Sequence, residues 1–201
     1  MKTAKILLTG FTPFGGESVN PALEAVKLVK SPLPEIELIK LEVPTVFARS
    51  GELVTAAMDK YLPDAVICVG QAAGRSAVTP ERIAINVDDA RIPDNDGAQP
   101  VDKPIAADGP AAYFATLPIK AVVQAIRAAG VPAEVSNSAG TYVCNHLMYA
   151  VLHHTATDHP GMRAGFIHVP CIPEQTVGKD IPSLPLDRIV VALEAAITAV
   201  I

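Results

Sequence analysis

Residues 64–70 read DAVICVG. The apolar, β-prone run Ala65–Val69 stands between Asp64 and a closing glycine, the pattern of a core strand that stops at a turn. Working outward, similar runs recur with helical patterns between them. Upstream, Ala4–Thr9 (AKILLT) reads as a first strand and Glu35–Val43 as a second. Between them Asn20–Lys30 reads as a helix, with Pro21 at its first position and Leu23, Val26 and Leu28 as apolar residues. Val46–Lys60 reads as the helix that leads into the third strand. Downstream, Arg82–Val87 is a fourth, shorter strand. Ile119–Ala129 is an amphipathic helix ended by Gly130 and Pro132, and Ala133–Ser136 a short strand. Asn145–Thr155 (helix), Gly165–Val169 (strand) and Leu186–Val200 (helix) close the chain. Strands alternating with helices predict a single-domain, three-layer α/β/α fold over residues 1–201, its twisted, mostly parallel sheet covered by helices on both faces. In such sheets functional groups gather at the carboxyl ends of the strands.

Composition narrows the function. Half of the 201 residues are hydrophobic, yet no apolar run reaches the ~20 residues of a membrane span. The apolar part of the opening MKTAKILLTGFTPFGG is too short for a secretory h-region, so a cytoplasmic chain with Met1 as its mature start is expected. With 16 basic and 21 acidic residues the net charge is −5, and no basic run occurs, which argues against nucleic acid. Cys68, Cys144 and Cys171 form neither a CxxC pair nor a metal spacing, which argues against a disulfide framework. The stretch Asp88–Pro110, rich in Asp, Pro and Gly, is long enough for a loop to be functional.

Cys144 lies in SNSAGTYVCNHLMYAVLHH, after a glycine-containing turn and at the start of a helical pattern. A helix N-terminus favours an anion, which suits a thiolate nucleophile, and its free N–H groups can hold an oxyanion. On position alone a packed core thiol fits equally well. Cys68, mid-strand between Ile67 and Val69, reads as core; Cys171, in a proline-bounded turn, reads as a bystander. His168 ends the strand GFIHVP, where a parallel sheet places catalytic groups, and is the candidate base. His146 is expected to point away from the thiol. His153, His154 and His159 read as a solvated helix end; adjacent helical histidines diverge by about 100° and no carboxylate partner is evident, so a metal site is rejected. Glu81 could orient the base, but Asp88 and Asp89 compete and spacing does not choose between them.

Five ordered blocks add a resemblance: TGFTPFGG near the start, GQAAGR (Gly70–Arg75), ERIAINVDDARIPDNDG (Glu81–Gly97), GTYVCN (Gly140–Asn145) and GFIHVP (Gly165–Pro170). Together they resemble the pyroglutamyl-peptidase I (pyrrolidone-carboxylate peptidase) family of cysteine exopeptidases. Two positions depart from the family pattern: Ala73, where a glycine is frequent, and Cys171, where an aromatic is common. The resemblance implies Cys144 as nucleophile, His168 as base and Glu81 as its orienting carboxylate, with Arg91 near the nucleophile. It also implies a slot for the neutral pyroglutamyl lactam, with Phe11 and Phe14 sandwiching the ring, Gln71 contacting it, and Tyr142 and Val143 completing the wall. The implied activity is removal of an N-terminal pyroglutamyl residue from peptides through a thioester, without metal or organic cofactor, by a cytoplasmic homo-oligomer. The rivals are a nucleoside phosphorylase, for which no phosphate loop is found, and a binding protein that captures N-terminally blocked peptides without cutting them.

Overall fold

The structure is a computed structural model and describes residues 3–201, so the expectation about Met1 lies outside the described residues. The elements run β1 (Ala4–Phe11), α1 (Pro21–Leu28), β2 (Ile36–Val43), α2 (Phe47–Tyr61), β3 (Ala65–Gln71), β4 (Thr79–Pro80), β5 (Ile83–Ile85), β6 (Ala112–Phe114), α3 (Ile119–Ala128), α4 (Val143–Thr157), β7 (Arg163–Val169) and α5 (Leu186–Val200). Among the described residues no helix is long and apolar enough to cross a membrane.

The sheet has the order β2-β1-β3-β7-β4 and is parallel except for β4, which runs against β7. Its central strands divide their side chains by parity. Ile6, Leu8, Ala65, Ile67, Val69, Ile167 and Val169 face one core with α1, α3 and α5. Leu7, Val66, Cys68, Ala164 and Phe166 face the other with α2 and α4. Both faces are therefore apolar, as the uninterrupted run at Ala65–Val69 predicts, and the three-layer α/β/α fold is the observed one. Helix α1 starts as read: Asn20 Oδ1 accepts from the Ala22 N–H at 3.1 Å and Pro21 holds the first position.

Two strand expectations change. Arg82–Val87 does not continue the main sheet. Pro80 has no N–H to donate to a ladder, and after Glu81 the chain leaves β7. Ile83–Ile85 instead pairs antiparallel with Ala112–Phe114 in a separate two-stranded ribbon. The expected strand Ala133–Ser136 forms bridges to Val78 and Glu81 rather than a ladder, and so covers the edge beyond β4.

The long segment Asp88–Pro110 is stitched down by buried polar side chains. Asp94 accepts from the N–H groups of Phe47 (3.0 Å), Asp96 (3.0 Å) and Ala98 (2.8 Å), which supplies the cap that Val46 cannot give α2. Asn145, on α4, accepts from the Ile85 N–H at 3.0 Å and donates to the Ile85 and Val87 carbonyls at 2.9 and 3.0 Å. Asn145→Ala therefore strands buried backbone groups of β5 and is expected to destabilise the protein by roughly 2 kcal/mol, measured by urea unfolding.

Candidate active site

β3 and β7 end side by side, with Gly70 paired to His168 and Gln71 to Val169. Paired residues share a face, so Gly70 and His168 look toward α4, as do Cys68 and Phe166. Helix α4 starts two residues earlier than its sequence pattern indicates, which puts Cys144 inside its first turn. The thiol rests against the sheet where Gly70 offers no side chain. A Cβ on Gly70 would stand 3.0 Å from Cys144 Sγ and 2.7 Å from Phe166 Cζ. The Phe166 ring in turn lies 4.7 Å from the imidazole of His168, centroid to centroid. Thiol and imidazole thus converge on one sheet edge from elements far apart in sequence.

Glu81 is fully buried, and His168 is 4% exposed. Glu81 Oε1 accepts from His168 Nδ1 at 2.7 Å, which assigns the ring proton to Nδ1 and leaves Nε2 as the free base. The same oxygen accepts from Arg75 Nη1 at 2.6 Å. Arg75 also donates to Thr79 Oγ1 and, at 3.3 Å, to the Ser138 carbonyl. The backbone fixes Glu81 too, since its N–H donates to the Phe166 carbonyl at 2.9 Å.

Burial works to raise the Glu81 carboxyl, but the His168 hydrogen bond and charge, Ser136 and the Arg75 guanidinium outweigh it, and the group is held below the usual carboxylate range. Burial lowers His168 below the ordinary imidazole value, and Arg75 acts the same way, against the pull of Glu81. Burial pushes the Cys144 thiol up to about 12, helped by the charge of Glu81 and opposed by Arg75. Burial thus works against the thiolate that a helix start favours. At the start of α4, Tyr142 makes no side-chain cap, and the first intrahelical donor to it is the His146 N–H at 3.1 Å. Backbone N–H groups of the first turn, Cys144 among them, are directed outward from the helix end.

The remaining expected residues fall in distinct places. Arg91 is exposed, on a segment tied to the turn before the thiol: Thr141 Oγ1 donates to the Asp89 carbonyl at 2.8 Å and Tyr142 Oη to that of Pro93 at 3.0 Å. The guanidinium whose charge reaches Cys144 is that of Arg75. Phe14 is half-buried, its ring 6.1 Å from that of Tyr142, which stands edge-on to Phe47 at 5.4 Å. Phe11 does not mirror Phe14. It is 2% exposed and packs 6.2 Å from Phe166, because the last residue of β1 points into the α2/α4 core. Val143 is likewise fully buried in that core and offers its backbone rather than a wall.

Gln71 donates to Cys171 Sγ at 3.1 Å and to Gln175 Oε1 at 3.2 Å, so Cys171 lies against a candidate pocket residue. His146 donates to, or accepts from, no thiol: its Nδ1 bonds Asp88 Oδ2 at 2.8 Å. Asp88 is therefore spent on His146, which leaves Glu81 as the carboxylate at His168. His154 and His159 do have a carboxylate partner, Asp59 of α2, so the expected lack of a carboxylate does not hold. Arg75 and Gln175 carry no role in the sequence reading. A signal for Arg75 existed, because a glutamate that is buried beside a histidine needs a countercharge and GQAAGR ends in one.

The sequence model of the family described as "Pyroglutamyl peptidase" matches residues 4–201. A pyrrolidone-carboxylate peptidase 1 of Streptococcus pneumoniae serotype 4 is 57% identical over 198 residues, covering 98% of this chain and 92% of the relative. A pyrrolidone-carboxylate peptidase of Levilactobacillus brevis is also 57% identical, with 98% and 97% covered. Among solved structures, pyroglutamyl peptidase I of Bacillus amyloliquefaciens superposes with a TM-score of 0.95 at 52% identity, covering 98% of this chain and 96% of that one. A mutant pyrrolidone carboxyl peptidase of Pyrococcus furiosus gives 0.94 at 42% identity, with 98% and 97% covered. This chain belongs to the pyroglutamyl peptidase family.

Proposed function

We propose that the chain is a cysteine exopeptidase that hydrolytically removes an N-terminal pyroglutamyl residue from peptides through a thioester on Cys144. Membership of the family carries the activity. The observation that carries the residue roles is the chain of contacts from Arg75 through Glu81 to His168, on the sheet edge where Cys144 rests beside Gly70.

Cys144 Sγ attacks the pyroglutamyl carbonyl carbon as His168 Nε2 takes its proton. The imidazolium is stabilised by the Glu81 carboxylate at Nδ1. The carbonyl oxygen gathers charge at the start of α4, where the Cys144 N–H donates; one such donor is worth roughly 3 kcal/mol. Arg91, on the segment fastened to this turn, assists. Collapse of the intermediate breaks the C–N bond, and the departing amine takes the proton from His168. Water, deprotonated by the same nitrogen, then hydrolyses the thioester and returns the thiol.

The lactam lies in a slot with Phe14 and Tyr142 as its accessible aromatic surface, Phe11 and Val143 as floor behind them, and Gln71 as its amide partner. A neutral five-membered lactam without an α-amine suits a mostly apolar slot with few polar groups. From the family resemblance we infer a cytoplasmic homo-oligomer. Exposed Val101, Phe114 and Val177 offer apolar surface for contacts between copies, and all three cysteines are free.

A fluorogenic pyroglutamyl amide is expected to be cleaved under reducing conditions, with the matching glutamyl and prolyl amides left intact; no cleavage of the first would end the peptidase reading. Cys144→Ala is expected to lower kcat/KM on the order of 10⁵-fold, and an unchanged rate would remove Cys144 as nucleophile. Because His168 must be neutral and burial lowers its pKa, the acid limb of kcat/KM against pH is expected below the ordinary imidazole value of 6.5. Arg75→Met removes a charge that lowers His168, so the same limb is expected to move to higher pH; a limb that stays in place would detach Arg75 from the base.

A further inference from the structure

The last turns of α2 and α4 meet at a cluster unrelated to the thiol. Asp59 comes from α2, His154 from α4 and His159 from the turn after it. His154 Nε2 and His159 Nε2 lie 2.8 and 2.7 Å from the same oxygen, Asp59 Oδ1. One nitrogen or oxygen atom from each residue lies within 4.8 Å of the other two. His154 presents its second nitrogen, Nδ1, to Asp158 Oδ2 at 3.2 Å. The two rings stand edge to face with centroids 5.0 Å apart.

We propose that Asp59, His154 and His159 bind one divalent metal ion of the zinc class, with water as the fourth ligand and Asp158 as the carboxylate that orients His154. The donor set is that of zinc: two imidazole nitrogens and a carboxylate oxygen, partly exposed, with room for solvent. Tetrahedral ligands at zinc bond lengths stand about 3.3 Å apart, so the present contacts need to open by about 0.6 Å. The Asp59 side chain is 58% exposed and free to rotate by that amount. With Nδ1 donating to Asp158, Nε2 is the nitrogen left to the metal, the arrangement in which a second carboxylate tunes a metal-bound histidine.

Ten residues of α4 separate Cys144 from His154, or ~15 Å of helix. The ion therefore takes no part in the peptidase chemistry. It clips the end of α2 to the end of α4, across the layer that carries the nucleophile. Binding to the folded state alone raises its stability with metal concentration.

Tag-free protein titrated with cobalt(II) tests this. One equivalent is expected to give the strong ligand-field bands of a four-coordinate nitrogen and oxygen site, which zinc then bleaches. Thiolate charge-transfer bands would place the metal on a cysteine and overturn the proposal, as would the weak spectrum of solvated cobalt. Asp158→Ala is expected to weaken cobalt binding roughly tenfold. His159→Ala and the more conservative His159→Gln are expected to abolish the bands, while metal-free peptidase activity stays within about twofold of the parent. Unchanged affinity in both His159 variants would sink the site. Zinc at about 100 times its Kd is expected to raise Tm by roughly 5 °C in the parent and not in His159→Gln.

Discussion

The carboxylate of Glu81 sits fully buried between a guanidinium and an imidazole, and the active edge of the sheet is arranged around it. A buried charge with one partner removed is destabilising by roughly 3–5 kcal/mol, so the protein must supply that partner. Arg75 does so from the loop after β3. To reach Glu81 it is held at Thr79 and at the Ser138 carbonyl, which ties the β3–β4 loop to the edge segment bridged at Ser136. The same charge sets the tautomer of His168. One electrostatic requirement thus ties two loops together and orients the imidazole.

The sheet supplies the other half. Alternation of side chains divides β1, β3 and β7 between two cores, and Cys144 and His168 lie on the α2/α4 side. Cys68 and Cys144 face the same layer, yet only Cys144 stands at a helix start beside the gap left by Gly70. Cys68 is fully buried mid-strand, and burial pushes its thiol to about 12 as well.

Around this rigid edge the loop connecting β5 to β6 is positioned by asparagine and aspartate side chains. Asn86 accepts from the N–H groups of Ile105 and Ala106, Asp94 from those of Phe47, Asp96 and Ala98, and Asn145 binds β5 directly. Short polar side chains satisfy backbone that has no ladder of its own. Composition marks Asp88–Pro110 as a loop; these contacts are why it holds a defined shape next to the thiol.

The amino-acid sequence by itself determined the alternation of strands and helices, the two apolar faces of the sheet and the carboxyl-edge position of His168, because each depends on periodicity within a few residues. It also determined the ordered motifs that mark the family. Spacing alone left Cys144 balanced between nucleophile and core thiol and did not separate Glu81 from Asp88; the ordered motifs favoured Cys144 and Glu81, and the contacts around them belong to the tertiary structure. Asp88 is taken by His146, Glu81 meets His168 from 87 residues away, and Arg75 completes the set. The burial of Phe11, the departure of β5 from the main sheet and the meeting of Asp59 with His154 and His159 were settled at the same level. Each is a contact between segments remote in the chain, fixed by packing and by the need to pair buried polar groups, and local pattern carries no record of it.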